Sequence, residues 1–148
     1  MSGNQNVITS ADATIILTVN NLYPSGVQIE GFSTDNIYGT DALDLAETRR
    51  GADGKLSAGF IYSNINQTFH IEADSPSRKI FDTWASMSRT TVSVFRCNAT
   101  VILPAIGKKY KCVNGVLKQW KIMPDAAKTL QPSTAVIEWE NITPEEFN

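Results

Sequence analysis

Short runs of alternating or β-branched residues follow one another along most of the chain, and turn residues separate them. The runs are Thr14 to Val19, Val27 to Phe32, Leu43 to Arg49, Lys55 to Tyr62, Gln67 to Glu72, Thr90 to Leu103 with a break near Asn98, Lys108 to Val113, Val116 to Ile122, and Ser133 to Glu140. Many short strands at this spacing predict an antiparallel β-sandwich or partial barrel. Gly51-Ala52-Asp53-Gly54 and Asn114-Gly115 predict tight hairpins, because Gly and Asn tolerate the positive φ angles of such turns.

One segment has a helical period instead. Ile80, Phe81, Trp84 and Met87 fall at i, i+1, i+4 and i+7, which places them on one stripe of a helix. Asp74-Ser75-Pro76 precedes this stripe and predicts a cap followed by proline at the first helical position. We therefore expect a mainly β fold (α+β) in which one amphipathic helix of about three turns covers one face or end of the sheet.

Alternation also predicts which side chains share a face of each strand. The residues expected to point into the core are Leu43, Leu45, Leu56, Ala58, Phe60, Tyr62, Phe69, Ile71, Ala135, Ile137 and Trp139. The small, hydroxyl and acidic residues expected on the opposite face are Asp44, Thr48, Ser57, Thr68, His70, Glu72, Glu138 and Glu140. Such a face is typical of an ordinary solvent-exposed sheet, and it would equally suit the wall of a water-filled passage.

Three stretches lack a regular pattern and are predicted to be irregular: 33–42, 123–132, and both termini. We expect residues 1–148 to form a single domain with an N-terminal arm of about residues 1–12 and a short C-terminal tail of about 141–148. Long irregular segments in a small domain usually bind or dock onto another chain.

Composition excludes several classes of protein. The chain has 148 residues, 42% of them hydrophobic and 19% charged, with a net charge of −2 and a pI of about 5.3. Neither a disordered chain nor a strongly basic nucleic-acid binder fits these values. The charge is uneven, because residues 1–75 carry nine acids and three bases (net −6), whereas residues 76–148 carry ten bases and six acids (net +4). This asymmetry suits either two solvated faces or a subunit whose acidic part meets the basic part of a neighbour.

The sequence carries no catalytic, cofactor or metal signature. It has no glycine-rich phosphate loop and no nucleophile elbow, and the single His70 with Cys97 and Cys112 lacks zinc-ligand spacing. The two cysteines are expected to be reduced thiols. We interpret the acid pairs Asp41/Asp44 and Glu138/Glu140 as solvent-exposed surface residues. Acid–base catalysis would need one carboxyl group with a raised pKa inside a cleft. No apolar run is long enough to cross a bilayer and the start is unlike a signal peptide, so we expect a soluble protein made in a cytoplasm.

From Gly31 onward, several pieces in order resemble the tail tube proteins of contractile bacteriophages. They are Gly31-Phe32-Ser33-Thr34-Asp35 leading to Asp41-Ala42-Leu43, the hairpin Gly51-Ala52-Asp53-Gly54-Lys55, Thr68-Phe69-His70-Ile71-Glu72 with Ser75-Pro76-Ser77 and the helix, Val113-Asn114-Gly115-Val116-Leu117-Lys118-Gln119-Trp120, and Met123-Pro124-Asp125-Ala126 with the last strand to Trp139.

The resemblance implies a non-enzymatic virion protein whose strands join a barrel shared by six copies. Stacked hexameric rings would form a hollow tube inside a sheath, contact baseplate and terminator proteins, and let genome DNA pass without specific binding. The implied location is the virion tail, assembled in the host cytoplasm, with no cofactor and no membrane span. An acidic wall suits this role because it repels phosphate. The lumen candidates are the eight polar-face residues named above: Asp44, Thr48, Ser57, Thr68, His70, Glu72, Glu138 and Glu140. The ring-contact candidates are Asp35, Asp41, Arg49, Arg50, Asp53 and Lys55.

Other readings remain open at this point. A tube or ring protein of a contractile secretion system would share the architecture but stack differently. A monomeric β-sandwich module that binds sugar or protein would carry exposed aromatic side chains on one strand face. Surface charge near the helix at Arg78, Lys79 and Asp82 fits either contact with a sheath or simple solvation.

Overall fold

The computed structural model describes residues 13–33 and 36–147, which form ten β-strands, one α-helix and one short 3-10 turn, Pro104–Ile106. The elements are β1 Thr14–Val19, β2 Tyr23–Gln28, β3 Tyr38–Thr40, β4 Ala46–Arg50, β5 Leu56–Phe60, β6 Ile65–Ile71, α1 Arg78–Thr91, β7 Arg96–Leu103, β8 Lys108–Trp120, β9 Ser133–Trp139 and β10 Asn141–Glu146. The prediction of a mainly β fold with one helix is confirmed. The predicted N-terminal arm of about residues 1–12 lies outside the described residues.

Eight strands form one antiparallel sheet in the order β2-β1-β7-β8-β9-β6-β3, with β10 also paired to β8. The two halves of β8 have different partners on one side. Val116–Trp120 pairs with β9, and Lys108–Val113 pairs with β10. β4 and β5 form a separate two-stranded sheet, hereafter the hairpin.

The core lies on one face of the large sheet, and α1 covers it at one end. Phe69 and Ile71 of β6 and all three predicted residues of β9 are buried, as alternation predicts. The helical stripe is confirmed at Ile80, Phe81 and Trp84, whereas Met87 remains 37% exposed. Phe81 stacks between Trp84 and Trp120, so the helix is anchored by aromatic contacts to β8.

The helix begins two residues later than the sequence predicts. Its N-cap is Ser77, which makes no side-chain capping bond, and Pro76 lies in the turn before it. The hydroxyl groups of Ser75 and Ser77 instead form hydrogen bonds with the backbone of Glu30, which follows β2. The Ser75 hydroxyl donates to the Glu30 carbonyl (2.5 Å), and the Ser77 hydroxyl accepts from the Glu30 amide (2.7 Å). A tertiary contact has therefore displaced the local capping pattern.

Asn114-Gly115 does not form the predicted hairpin, because β8 continues through it. Asn114 has φ 51°, and its amide donates to Asn98 Oδ1 (3.0 Å), where the register of β7 shifts between Cys97 and Ala99. The predicted break near Asn98 is thus a β-bulge. Gly115 is needed for packing, since a Cβ atom there would lie 2.3 Å from the Trp139 ring.

Five further segment predictions are wrong. The strand predicted over Val27 to Phe32 lies earlier, at Tyr23–Gln28, and Tyr38–Thr40 in the stretch predicted as irregular forms β3. The strand predicted over Leu43 to Arg49 begins only at Ala46, and Thr90 and Thr91 belong to the helix rather than to the following strand. Residues 141–146, predicted as irregular tail, form β10, which pairs antiparallel with β8 along its whole length. Two ion pairs accompany this pairing: Lys108 contacts Glu146, and Lys109 contacts Glu145 at 3.6 Å. The alternation of polar and apolar residues does not show where a strand ends, and it does not show which distant segment will pair with that strand.

Candidate functional site

The hairpin is the most exposed element of the described chain. Its predicted reversal is confirmed: the Gly54 amide donates to the Gly51 carbonyl (2.9 Å), Gly54 has φ 82°, and Asp53 Oδ1 accepts from the Lys55 amide (3.0 Å). Every residue of β4 and β5 is exposed, and among the described residues each of these strands pairs only with the other. An isolated two-stranded hairpin is marginal in water, so the exposure of both of its strands is unusual for a single chain.

The pairing register gives the hairpin two chemically different faces. Ala46, Thr48 and Arg50 stand opposite Phe60, Ala58 and Leu56, and directly paired residues point to the same side. We call this side, with Tyr62 beyond it, the apolar hairpin face. The other side carries Glu47, Arg49, Ser57 and Gly59, and we call it the polar hairpin face. Thr48 and Ser57, both predicted to face one lumen, therefore lie on opposite faces.

The apolar hairpin face corrects a second prediction. Leu56, Phe60 and Tyr62 were expected in the core, yet their exposed fractions are 66%, 70% and 94%. Leu43 and Leu45, also expected inside, are 44% and 62% exposed. Phe60 and Tyr62 form an edge-to-face pair with ring centroids 4.9 Å apart. Alternation identifies residues that share a face, but it does not show whether anything covers that face.

The large sheet brings together most of the other lumen candidates on its solvent side. Thr68 and His70 lie on β6, Glu72 follows it, and Glu138 lies on the neighbouring β9. Glu140 lies in the bend before β10 and accepts from Asn114 Nδ2 (2.9 Å). We call the surface formed by these five residues the outer sheet face. Asp44 lies apart from it, in the exposed segment before β4, and its carbonyl accepts from the Ser63 hydroxyl (3.0 Å).

The outer sheet face is not uniformly acidic. Glu138 lies 3.4 Å from the Lys118 ammonium and accepts a hydrogen bond from Asn64 Nδ2 (2.7 Å). Of its three acids, only Glu72 and Glu140 have no basic partner among the described residues. The sequence shows the acids of this face but not the lysine that β8 places beside one of them.

Four ring-contact candidates, Arg49, Arg50, Asp53 and Lys55, cluster around the hairpin turn and are exposed. Asp41 is elsewhere, at the mouth of a pocket, with its amide bonded to the Asn66 carbonyl (2.9 Å). Asp35 lies outside the described residues.

Two of the three charged residues near the helix are used inside the chain. Arg78 donates to the Ser133 hydroxyl (2.8 Å) and the Ile122 carbonyl (2.9 Å), and its guanidinium lies 5.2 Å from the centre of the Trp120 ring. Asp82 accepts from the Trp120 indole N–H (2.8 Å). These contacts fasten the helix to β8. Asp82 and Lys79 are both exposed, but only Asp82 of the two makes a hydrogen bond to another part of the described chain.

An open cavity of about 290 Å³ lies at the end of the sheet away from α1. We call it the end pocket, and its lining includes Tyr38, Asp41, Ile65, Leu103, Tyr110 and Ile142. It stays open because β6 starts at Ile65, opposite Trp139, so that β10 has no strand on its far side among the described residues. Burial raises the pKa of Tyr38 at its wall. Sequence reasoning missed this pocket because its walls come from five separate strands.

The cysteines are buried and free, and burial raises the pKa of both thiols to about 12. A thiol that keeps its proton is neither a nucleophile nor a metal ligand at neutral pH.

Within 13–33 and 36–147, no group of His, Cys, Asp and Glu side chains is placed to hold a metal ion. In the same ranges, no helix has both the length and the apolar character needed to span a bilayer.

Solved structures with the same fold come from contractile injection machines. A chain of the six-fold symmetrised anti-feeding prophage baseplate superposes with a TM-score of 0.60 and 13% identity, over 90% of this chain and 92% of that chain. A chain of the PVC sheath-tube complex in the extended state superposes with a TM-score of 0.55 and 10% identity, over 99% of both chains. A chain of the anti-feeding prophage tube-terminating cap superposes with a TM-score of 0.55 and 12% identity, over 89% of this chain and 87% of that chain. The resemblance to contractile-tail tube proteins is thus confirmed at the level of the fold.

Sequence comparison identifies the family. No curated protein matches the chain. A family model described as tail fiber protein gp32 matches residues 5–143, nearly the whole sequence. The chain belongs to the tail fiber protein gp32 family.

Proposed function

We propose that the chain is a structural subunit of a contractile tail, and that hexameric rings of it stack into the inner tube through which genome DNA passes. The observation that carries the proposal is the hairpin, which is exposed on both faces and has five consecutive residue pairs but no partner within the described chain. A shared fold with chains of tube, cap and baseplate assemblies supports the same role. Sheath, baseplate and terminator proteins are its expected partners, the virion tail is its location after assembly in the host cytoplasm, and no catalysis is required.

The hairpin suits a shared wall because of its two faces. In a ring, the apolar hairpin face packs against protein, while the polar hairpin face is left for the water-filled side. Ser57 would then face the conduit together with Glu47, and Thr48 would be covered. Joining hairpins around a ring also removes their unpaired edges, which otherwise promote aggregation.

The outer sheet face is the second candidate for the conduit wall. Its unpaired acids, Glu72 and Glu140, would repel DNA phosphate, whereas Glu138 contributes less because Lys118 neutralises it. Arg49, Arg50, Asp53 and Lys55 at the hairpin turn remain the candidates for contact with an adjacent ring, together with Asp35 and Asp41.

Two alternatives have specific support. The same fold occurs in the sheath-tube complex of an extracellular contractile injection system, which supports the alternative that the subunit forms a tube or ring of a related secretion system. The exposed Phe60–Tyr62 pair is the mark expected of a monomeric binding module, and the family description names a tail fiber. The binding module differs from both tube proteins in its state of assembly.

Electron microscopy of the purified chain over a range of concentrations tests the proposal, with size-exclusion chromatography beside it. Rings or hollow stacked fibres are the expected result. The double variant Phe60→Ser/Tyr62→Ser should stay monomeric, whereas the matched variant Met123→Ser, which removes a 77% exposed side chain elsewhere, should assemble. A chain that remains monomeric and is also not incorporated into tail particles contradicts a tube subunit and favours the binding module.

A further inference from the structure

The end pocket and the apolar hairpin face are each incomplete in the single chain. The pocket is an open, mainly carbon-lined cavity of about 290 Å³. The hairpin face ends in two aromatic rings, of which Tyr62 is 94% exposed. Large exposed aromatic side chains that contact each other mark an interaction site rather than ordinary surface.

We propose that the Phe60–Tyr62 pair of one copy occupies the end pocket of a neighbouring copy. This inference rests on the proposed function, because it names the contact that joins two subunits. Each copy then presents one aromatic pair and one pocket. Reciprocal exchange of the contact would give a twofold dimer, whereas repeating it in one direction gives the closed ring or open stack that the proposed function requires.

The chain's own hairpin leaves its own pocket open. Asp41 and Ile65 line the pocket, and both hairpin strands lie between these two residues in the sequence. Ile61 and Ser63 bond back to Leu45 and Asp44, which continues the pairing to the base of the hairpin. The Phe60 and Tyr62 rings are 70% and 94% exposed although the hairpin starts at the pocket mouth.

Chemistry and size fit this occupant. Ile65, Leu103 and Ile142 supply apolar contacts, and the phenol groups of Tyr38 and Tyr110 supply polar ones for the Tyr62 hydroxyl. Burying two aromatic rings removes about 300–500 Å² from water on the donor side alone. A stable interface buries about 800 Å² per partner, so this contact supplies roughly half of one, and the rest of the hairpin lies beside it.

Cysteine trapping between separately purified chains tests the contact. One chain carries Tyr62→Cys and the other Ile142→Cys, so a heterodimeric disulfide forms only between molecules. Cys112 also lines the end pocket and pairs with Ile142 across β8 and β10, so both chains carry Cys112→Ala, and this variant without an added cysteine is the blank. Cys97 is buried with a raised pKa and should not compete. The matched control replaces the donor by Met123→Cys, which is comparably exposed but lies after β8.

A disulfide-linked heterodimer is expected from the Tyr62→Cys and Ile142→Cys mixture, at least tenfold above the Met123→Cys control. Leu103→Cys serves as a second acceptor in case Ile142→Cys unfolds, which circular dichroism reveals. Rings or tubes seen by microscopy without the heterodimer overturn the pocket contact and leave the proposed function standing. Monomers without the heterodimer overturn both. Release of a small apolar molecule on denaturation, without the heterodimer, would assign the pocket to a ligand.

Discussion

Gln67 occupies a position of β6 that alternation assigns to the core, between Ile65 and Phe69, and it is only 3% exposed. Its amide joins two strands: the carbonyl accepts from the Trp139 indole N–H (2.9 Å), and the amino group donates to the Thr40 hydroxyl (2.9 Å). A polar residue in an otherwise apolar strand face was the available signal, but the sequence does not identify its partners.

Replacing Gln67 by Leu should destabilise the fold by about 1–3 kcal/mol, because the buried indole N–H loses its acceptor. Urea unfolding of the purified chain measures the change. Adding Trp139→Phe removes the orphaned donor, so the double variant should lose less than the sum of the two single losses. Equal stability of Gln67→Leu and the unmodified chain would contradict this role.

Cys97 and Cys112 give the molecule an alkaline limit. Their pKa values rise from 9.0 to about 12 on folding because burial disfavours the thiolate. Between these values the unfolded chain has lost the thiol protons while the folded chain keeps them. The free energy of unfolding therefore holds its thiol contribution below pH 9 and loses it progressively up to about pH 12.

Chemical denaturation at a series of pH values checks this effect. The Cys97→Ala/Cys112→Ala variant should show a shallower fall in stability above pH 9, although it is less stable overall because cavities remain. Lys and Tyr titrate in the same range, so the difference between the two curves is the readout. Parallel curves would show that the thiols do not contribute.

At the scale of elements, α1 ends on an unfavourable residue. Val92 is the C-terminal cap, with φ 51° and ψ 45°, and its side chain is 90% exposed. The left-handed conformation costs about 1–2 kcal/mol for a residue with a Cβ atom, and glycine avoids most of that cost. The amides of Val92 and Ser93 both reach the Ser88 carbonyl, so the hydrogen bonding of the helix end survives the substitution.

Val92→Gly should raise the free energy of unfolding by about 0.5–1 kcal/mol, since glycine's greater freedom in the unfolded chain offsets part of the gain. Thermal unfolding measures it. Val94→Gly is the matched control: Val94 is also exposed, at 67%, but has no positive φ, so glycine there should not stabilise. A lower midpoint for Val92→Gly than for the unmodified chain would refute the argument.

At the scale of the whole molecule, charge on the outer sheet face should govern passage of DNA if the tube proposal holds. The double variant Glu72→Lys/Glu140→Lys should assemble normally but impair DNA delivery several-fold, because lysines bind the phosphate that the acids repel. Glu138 is left unchanged, since its replacement would also break the ion pair with Lys118.

Particles assembled with the variant chain provide the measurement, as DNA released per assembled particle. Asp125→Lys is the control, because Asp125 is an exposed acid in the segment between β8 and β9 rather than one of the residues of the outer sheet face. Unchanged delivery with Glu72→Lys/Glu140→Lys would remove the outer sheet face from the conduit. The polar hairpin face would then be the remaining candidate.

The sequence by itself determined the features that rest on local periodicity. The strands β6 and β9 with their buried faces, the helical stripe Ile80, Phe81 and Trp84, and the reversal at Gly51–Gly54 follow from residue spacing and backbone preference. These features depend on neighbours a few positions apart, so the chain order contains them.

Only the tertiary structure decided what each face meets. Pairing with both β9 and β10 carries β8 straight through Asn114 and Gly115, and antiparallel pairing with β8 makes the predicted tail a strand. The hairpin shows the alternation of a core element, yet nothing in the described chain covers Phe60 or Tyr62. Burial depends on contacts between distant segments or separate molecules, and periodicity within one strand does not contain that information.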